Sequence, residues 1–243
     1  MTENNMATTN DPKNARRIII EKNGPYIVKG GVPLVRKRQV VSEYGEPLTW
    51  EKTGEVEAGK TYLLCRCGHS KNRPFCDDSH LQVNFDGTET APTNTTLERQ
   101  DIYAGGTRIV VKRDNSICSE AGFCGTRLTN IRKMMKDTGE PAVRAAIIGM
   151  IERCPSGSFT YSIEAGADDI EPDLPQQIAL TIEITDDGSI EGPLWVTGNI
   201  VVERADGQPF ETRNRVTLCN CGESKIKPLC DGTHRELKNR VIG

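Results

Sequence analysis

The chain has 243 residues, enough for one large domain or two small ones with a real core, and it carries a formal charge of −3 with a pI near 5.8. That balance argues against a broad nucleic-acid-binding surface, and no apolar run approaches the roughly 20 residues of a membrane span. Nine cysteines, 23 glycines and 13 prolines beside only 5% aromatics point to a turn-rich protein stabilised partly by bound metal.

The opening stretch, MTENNMATTNDPKNARR, has no apolar core of a signal peptide. Residues 1–22 read as a disordered polar tail, and a reducing cytoplasmic location is expected. In that compartment cysteines serve as ligands more often than in disulfides, and their odd number leaves an all-disulfide account incomplete.

Residues 23–87 form a first unit. Asn23-Gly24-Pro25-Tyr26-Ile27-Val28-Lys29-Gly30 leads into a β-like run over 32–35, then an added piece over 37–59 expected to form a hairpin or loop, then a strand over 61–64. That strand enters Cys65 and Cys67, followed by a loop with Ser70, Lys71 and Pro74 and then by Cys76-Asp77. A short helix is predicted there, with Asp77 at its N-terminus and His80 on its first turn. His69, between Cys67 and Ser70, reads as a solvated loop residue. Residues 88–100, rich in Thr, Asn and Pro, have the composition of a linker.

Residues 101–188 have a different texture. Strands are predicted over 108–111, 159–163 and 178–184, and helices over 128–136 and 142–153, with Cys118, Cys124 and Cys154 at the breaks. The result is a compact α+β unit. Its acidic stretches, Asp168-Asp169 and Glu171-Pro172-Asp173, read as solvated loops or as a face for a basic docking patch on a redox partner. Residues 189–243 then repeat the first unit. Glu191-Gly192-Pro193-Leu194-Trp195-Val196-Thr197-Gly198 precedes β-like runs over 200–202 and 215–218, and the second run enters Cys219 and Cys221.

Two ligand sets emerge with identical offsets: Cys65, Cys67, Cys76, His80 and Cys219, Cys221, Cys230, His234. Thiolate and imidazole suit zinc or iron–sulfur clusters, and the C-x-C and C-x3-H spacings depart from the usual zinc knuckles. The full pattern, C-x-C-x2-S-x3-P-x-C-D-x-[ST]-H, resembles the CDGSH iron–sulfur family, the mitoNEET type, including Ser70, Pro74, Ser224 and Pro228. This resemblance implies one 2Fe–2S cluster per repeat, held by three cysteines and one histidine, under a β-rich cap. It also implies that the tandem repeats build internally the pair that single-motif members make by dimerising. Asp78 stands where the family has glycine and the second copy keeps Gly232. The added carboxylate is expected to favour the oxidised state of the first cluster, and positive φ there is tolerated by Asp at modest cost.

Cys118-Ser-Glu-Ala-Gly-Phe-Cys124 with Arg153-Cys154-Pro155-Ser156-Gly157 resembles a degenerate ferredoxin in which Ala121 replaces the central cysteine. It is also similar to the divergent single-cluster ferredoxin-like domain found beside CDGSH motifs. Three thiolates at Cys118, Cys124 and Cys154 favour a 3Fe–4S cluster, with 4Fe–4S the competing form, its fourth iron on water or Glu120. The fold expected is α+β: two β-rich CDGSH lobes forming a pseudo-dimer, with a ferredoxin-like domain between them in sequence. The expected function is an electron carrier rather than an enzyme, passing single electrons between a reductase and an acceptor such as an oxygenase, without nucleic-acid or membrane partners. The alternative is a protein that releases its His-ligated clusters or senses redox state.

Overall fold

The computed structural model describes residues 15–242. Its strands are β1 (Arg17–Ile20), β2 (Tyr26–Lys29), β3 (Leu34–Val41), β4 (Pro47–Val56), β5 (Thr61–Leu64), β6 (Asp101–Tyr103), β7 (Val110–Arg113), β8 (Phe159–Ser162), β9 (Gln177–Thr185), β10 (Gly188–Thr197), β11 (Val201–Glu203), β12 (Arg215–Leu218) and β13 (Val241–Ile242). Its α-helices are α1 (Ser79–Gln82), α2 (Thr96–Arg99), α3 (Ile131–Met134) and α4 (Pro141–Arg153), joined by short 3-10 turns. The class is α+β and the sheets dominate.

The two repeats do not form separate lobes; they exchange strands. β1, β2 and β5 of the first repeat make an antiparallel sheet that takes β11 of the second repeat as its edge, Ile18 opposite Val202. In the other sheet, β9, β10 and β12 take β3 of the first repeat, Leu34 opposite Ile178. Both exchanged pairs are parallel. The register repeats as well, since Tyr26 faces Leu64 in one sheet as Leu194 faces Leu218 in the other. A pseudo-twofold relation between the halves follows. Their inner faces share one core, in which Ile18, Tyr26, Val28, Leu64, Ile178 and Leu218 are almost fully buried. The alternating side-chain period of a strand sends these residues to one face and their neighbours to the other.

β3 and β4 form a long hairpin, as the added piece in the first repeat was expected to. The middle domain is a three-stranded antiparallel sheet, β6-β7-β8, against which α3 and α4 bury Ile131, Ile147 and Ile151. Pro141 opens α4, where its missing N–H costs nothing.

Four expectations change. Of the predicted tail, residues 1–14 lie outside the described residues, but Arg17–Ile20 is strand β1, with Ile18 and Ile20 in the core. The predicted linker over 88–100 holds α2, closed by a capping box between Thr95 and Glu98. Strand β9, assigned to the middle domain, belongs to the second repeat's sheet, because its pairing with β10 and β3 buries both its faces. The helix predicted over 128–136 starts only at Ile131, since Asn130 caps it by accepting a hydrogen bond from Lys133 N at 2.9 Å.

Candidate metal centres

In each repeat the last sheet strand delivers the first two cysteines and a tight loop returns the third. Cys65 N donates to Pro74 O (2.8 Å) and Cys76 N to Leu63 O (2.9 Å); Cys219 N to Pro228 O and Cys230 N to Thr217 O repeat the pattern at 2.7 and 3.0 Å. The motif serine closes the loop, Ser70 donating to Phe75 O and Ser224 to Leu229 O, each at 2.6 Å. Asp77 and Asp231 accept from the backbone N–H groups of Ser79 and Thr233, so each starts the turn that carries the histidine. Hydrogen bonds from Ser79 and Lys71 hold the Asp77 carboxyl at about 2. Asp78 has φ 64° and Gly232 φ 90°, so the position does require the left-handed region. His69 is exposed, as expected.

The donors pair off. Cys65 and Cys67 Sγ stand 3.8 Å apart and Cys219 and Cys221 3.5 Å; Cys76 Sγ lies 3.5 Å from His80 Nδ1 and Cys230 Sγ 3.4 Å from His234 Nδ1. Such separations are edges of a tetrahedron with metal–sulfur bonds of about 2.3 Å. Yet among the described residues no four donors converge. Among the described residues, one set of three His, Cys, Asp or Glu donor atoms lies mutually within 4.8 Å, and it is Cys76, Asp78 and His80. Two donor pairs set apart fit a two-iron group with one pair on each iron; a single closed zinc tetrahedron would bring all four together.

Within the first pair the contact between the two sulfurs lowers the Cys65 thiol to about 5 and raises that of Cys67. Arg73 lies 3.8 Å from Cys65 Sγ, donates to Asn220 O at 3.2 Å and pairs with Glu191 at 2.7 Å, so one cation touches both repeats. The repeats also meet through their glycines. A Cβ on Gly68 would stand 2.2 Å from Cys221 O, and one on Gly222 would stand 2.3 Å from Cys67 O.

The two sites differ in cover. Cys230 and His234 are 2% and 1% exposed, whereas Cys76 and His80 are half-buried. His234 Nε2 is 3.2 Å from the carboxylate of Glu183, which is fully buried and also pairs with Arg235. Burial raises the Cys230 thiol well above its ordinary value.

The third set lines one cavity of about 480 Å³ that holds Cys118, Cys124 and Cys154. The loop between the first two buries Ala121 and Phe123, and Ala121 O accepts from Gln39 Nε2 of β3 at 3.0 Å. Trp50 of β4 packs 5.4 Å from Phe123 and donates to Arg153 O, so the hairpin added to the first repeat fixes this loop. Cys154 caps α4, and buried Arg215 of β12 donates to Cys154 O (2.8 Å) and Ile151 O (3.1 Å), a fixed cation at the helix C-terminus. Among the described residues the buried Ser119 hydroxyl has no hydrogen-bond partner, and Arg113 lies against Cys118. An orphaned hydroxyl and three thiols around one cavity fit an iron–sulfur group that accepts hydrogen bonds on sulfide. Asp231 and Ile226 of the second repeat complete the wall. Glu120, the candidate fourth donor, rests on Gly232, where a Cβ would stand 2.9 Å from its side chain.

All nine cysteines are free thiols and all belong to these three sets. The spacing had pointed to the eleven donors; it carried no trace of Glu183, Arg215 or Gln39, which reach the sites from distant strands, nor of Arg113 at the end of β7. Of the acidic stretches, Asp169 and Glu171 are partly buried and pair with Lys112 and Arg215. Among the described residues no helix is long and apolar enough to cross a membrane.

Residues 23–81 and 191–235 match the family described as iron-binding zinc finger CDGSH type, and residues 104–164 match the divergent 4Fe-4S mono-cluster family. Among curated relatives, the mitochondrial CDGSH iron-sulfur domain-containing protein 3 of Mus musculus is 55% identical over 39 residues, 15% of this chain and 28% of that protein. Its Homo sapiens counterpart is 65% identical over 27 residues, 11% of this chain and 21% of that protein. The match thus spans about a quarter of either relative. The chain carries two CDGSH-type iron-binding domains flanking a divergent 4Fe–4S mono-cluster domain.

Proposed function

We propose that this protein is a multi-cluster one-electron carrier. Cys65, Cys67, Cys76 and His80 hold one 2Fe–2S cluster, Cys219, Cys221, Cys230 and His234 a second, and Cys118, Cys124 and Cys154 a 3Fe–4S cluster. When bound, such groups supply reversible one-electron chemistry. The remaining steps belong to the chain. Arg73 beside Cys65, buried Arg240 and Arg113 beside Cys118 offset the negative charge of thiolates and sulfide. Ala121 and Phe123, both buried, form part of the wall of the middle cavity. The observation that carries the reading is contiguity: the first site touches the second through Gly68 and Gly222, and the second touches the middle through Gly232 and Glu120. Electrons arrive from a reductase and leave to an acceptor protein, an oxygenase being the analogue suggested by single-cluster ferredoxins. Nine free thiols suit a reducing compartment, and we place the protein in the cytoplasm.

Redox titration followed by electron paramagnetic resonance tests this. Reversible reduction with the clusters retained is expected. Replacing imidazole by thiolate adds negative charge, so His80→Cys and His234→Cys should each lower the potential of one centre; unchanged potentials would contradict histidine ligation. A second reading, release of clusters to other proteins, is favoured by one observation: Cys76 and His80 are only half-buried, where Cys230 and His234 are buried.

A further inference from the structure

The two repeats carry the same donors in opposite surroundings. Around the first, α1 and its C-cap present Leu81 (70% exposed) and Val83 (42%), Asp78 is exposed, and His80 Nε2 has no hydrogen-bond partner among the described residues. Around the second, Glu120 lies over Gly232 and Glu183 grips His234. An acceptor on Nε2 keeps the ring proton there and leaves the Nδ1 lone pair for metal, the atom that faces Cys230. The imidazole is then fixed in both tautomer and orientation.

We propose that the two CDGSH-type sites divide their roles: the first exchanges its metal group and the second retains it, with Glu183 as the positioning residue that locks His234. This rests on the reading that both repeats hold clusters. At the first site, donors from an acceptor protein can replace Cys76 and His80 one for one from solvent. Cys65 and Cys67 are exchanged after them; each incoming thiol gives up a proton, each released thiolate takes one up, the proton of the thiol that displaces His80 passes to the freed imidazole or to solvent, and no electron moves. At the second site the middle domain covers the same approach.

The test uses the full loaded chain at one fixed pH. Iron and sulfide are counted first; protein without sulfide would overturn the cluster reading itself. The chain is then challenged with an iron chelator and, separately, with a plant-type apo-ferredoxin, and visible circular dichroism follows the His-ligated centres. Two phases of equal amplitude are expected, the slower by about tenfold or more, the scale on which an outer hydrogen bond alters metal retention. His80→Ala should remove the fast phase alone. Glu183→Leu should speed the slow phase about tenfold, and Glu183→Gln, which keeps an acceptor oxygen, should restore most of the difference. Glu183→Gln should also shift the nitrogen hyperfine coupling of the reduced second centre, a change that loss of packing alone would not produce. Loss of both centres at one rate, or a slow phase indifferent to Glu183→Gln and Glu183→Leu alike, would overturn the proposal and leave the cluster assignment standing.

Discussion

A β-carbon at position 68 or 222 would collide with backbone of the opposite repeat, and neither strand end can retreat without moving a cysteine. Positive φ at both residues adds to the penalty. Gly68→Ala is therefore expected to destabilise the protein by about 3 kcal/mol, combining overpacking with left-handed strain, and to lower iron content at both repeats. Chemical denaturation with iron analysis checks this; a variant of wild-type stability would show that the repeats do not meet there. Position 78/232 gives a finer contrast. Asp78→Gly should change stability by less than about 1 kcal/mol, while Gly232→Asp must move Glu120 and should cost about 2 kcal/mol. At this scale the donors of the two repeats were legible because each of those sets is local, with every ligand within one short loop and turn, and Cys154 was legible through the Cys154-Pro155 pair at the end of a predicted helix. Glu183 was not. In sequence it is one more polar residue in an alternating strand, and only the pairing of β9 with β10 brings it to His234.

Two short elements decide how the middle domain is held. The β3–β4 hairpin supplies Gln39 and Trp50 to the cluster loop, and α2 ties residues 88–100 to the same domain through Arg99 and buried Asp114. Burial alone would raise the Asp114 carboxyl, but hydrogen bonds from Ser116 and Arg99 outweigh it and hold the group below the usual carboxylate range. Stability from this pair is in place above the unfolded value, near pH 4, and is lost as pH falls through the lower folded value. Asp114→Asn leaves Arg99 without its buried counter-ion and should cost about 3 kcal/mol at pH 7, narrowing towards zero in acid; urea titrations at both pH values test it. The signal for α2 was present in the sequence as Thr95-x-x-Glu98, but polar composition outweighed it. β1 was hidden likewise, four residues of alternating burial behind a charged stretch.

At the scale of the molecule, the tandem repeat announced two equivalent halves, and its register survives in the fold. Exchange of β3 and β11 between the sheets was not legible, because periodicity tells which face of a strand is buried and not which distant strand lies beside it. That exchange makes the halves inseparable, and the middle domain covers the second site and not the first. Identical ligand motifs therefore acquire different exposure, and the asymmetry belongs to the whole chain. The account rests on three donor sets holding iron and sulfide. Electron paramagnetic resonance of anaerobically purified protein, oxidised and then reduced, with iron and sulfide counts, measures this most directly. About seven iron and eight sulfide atoms per chain are expected, with a 3Fe–4S signal in the oxidised protein and two reduced 2Fe–2S signals. Folded, colourless protein carrying zinc and no sulfide, made without oxygen and with ample iron, would contradict it.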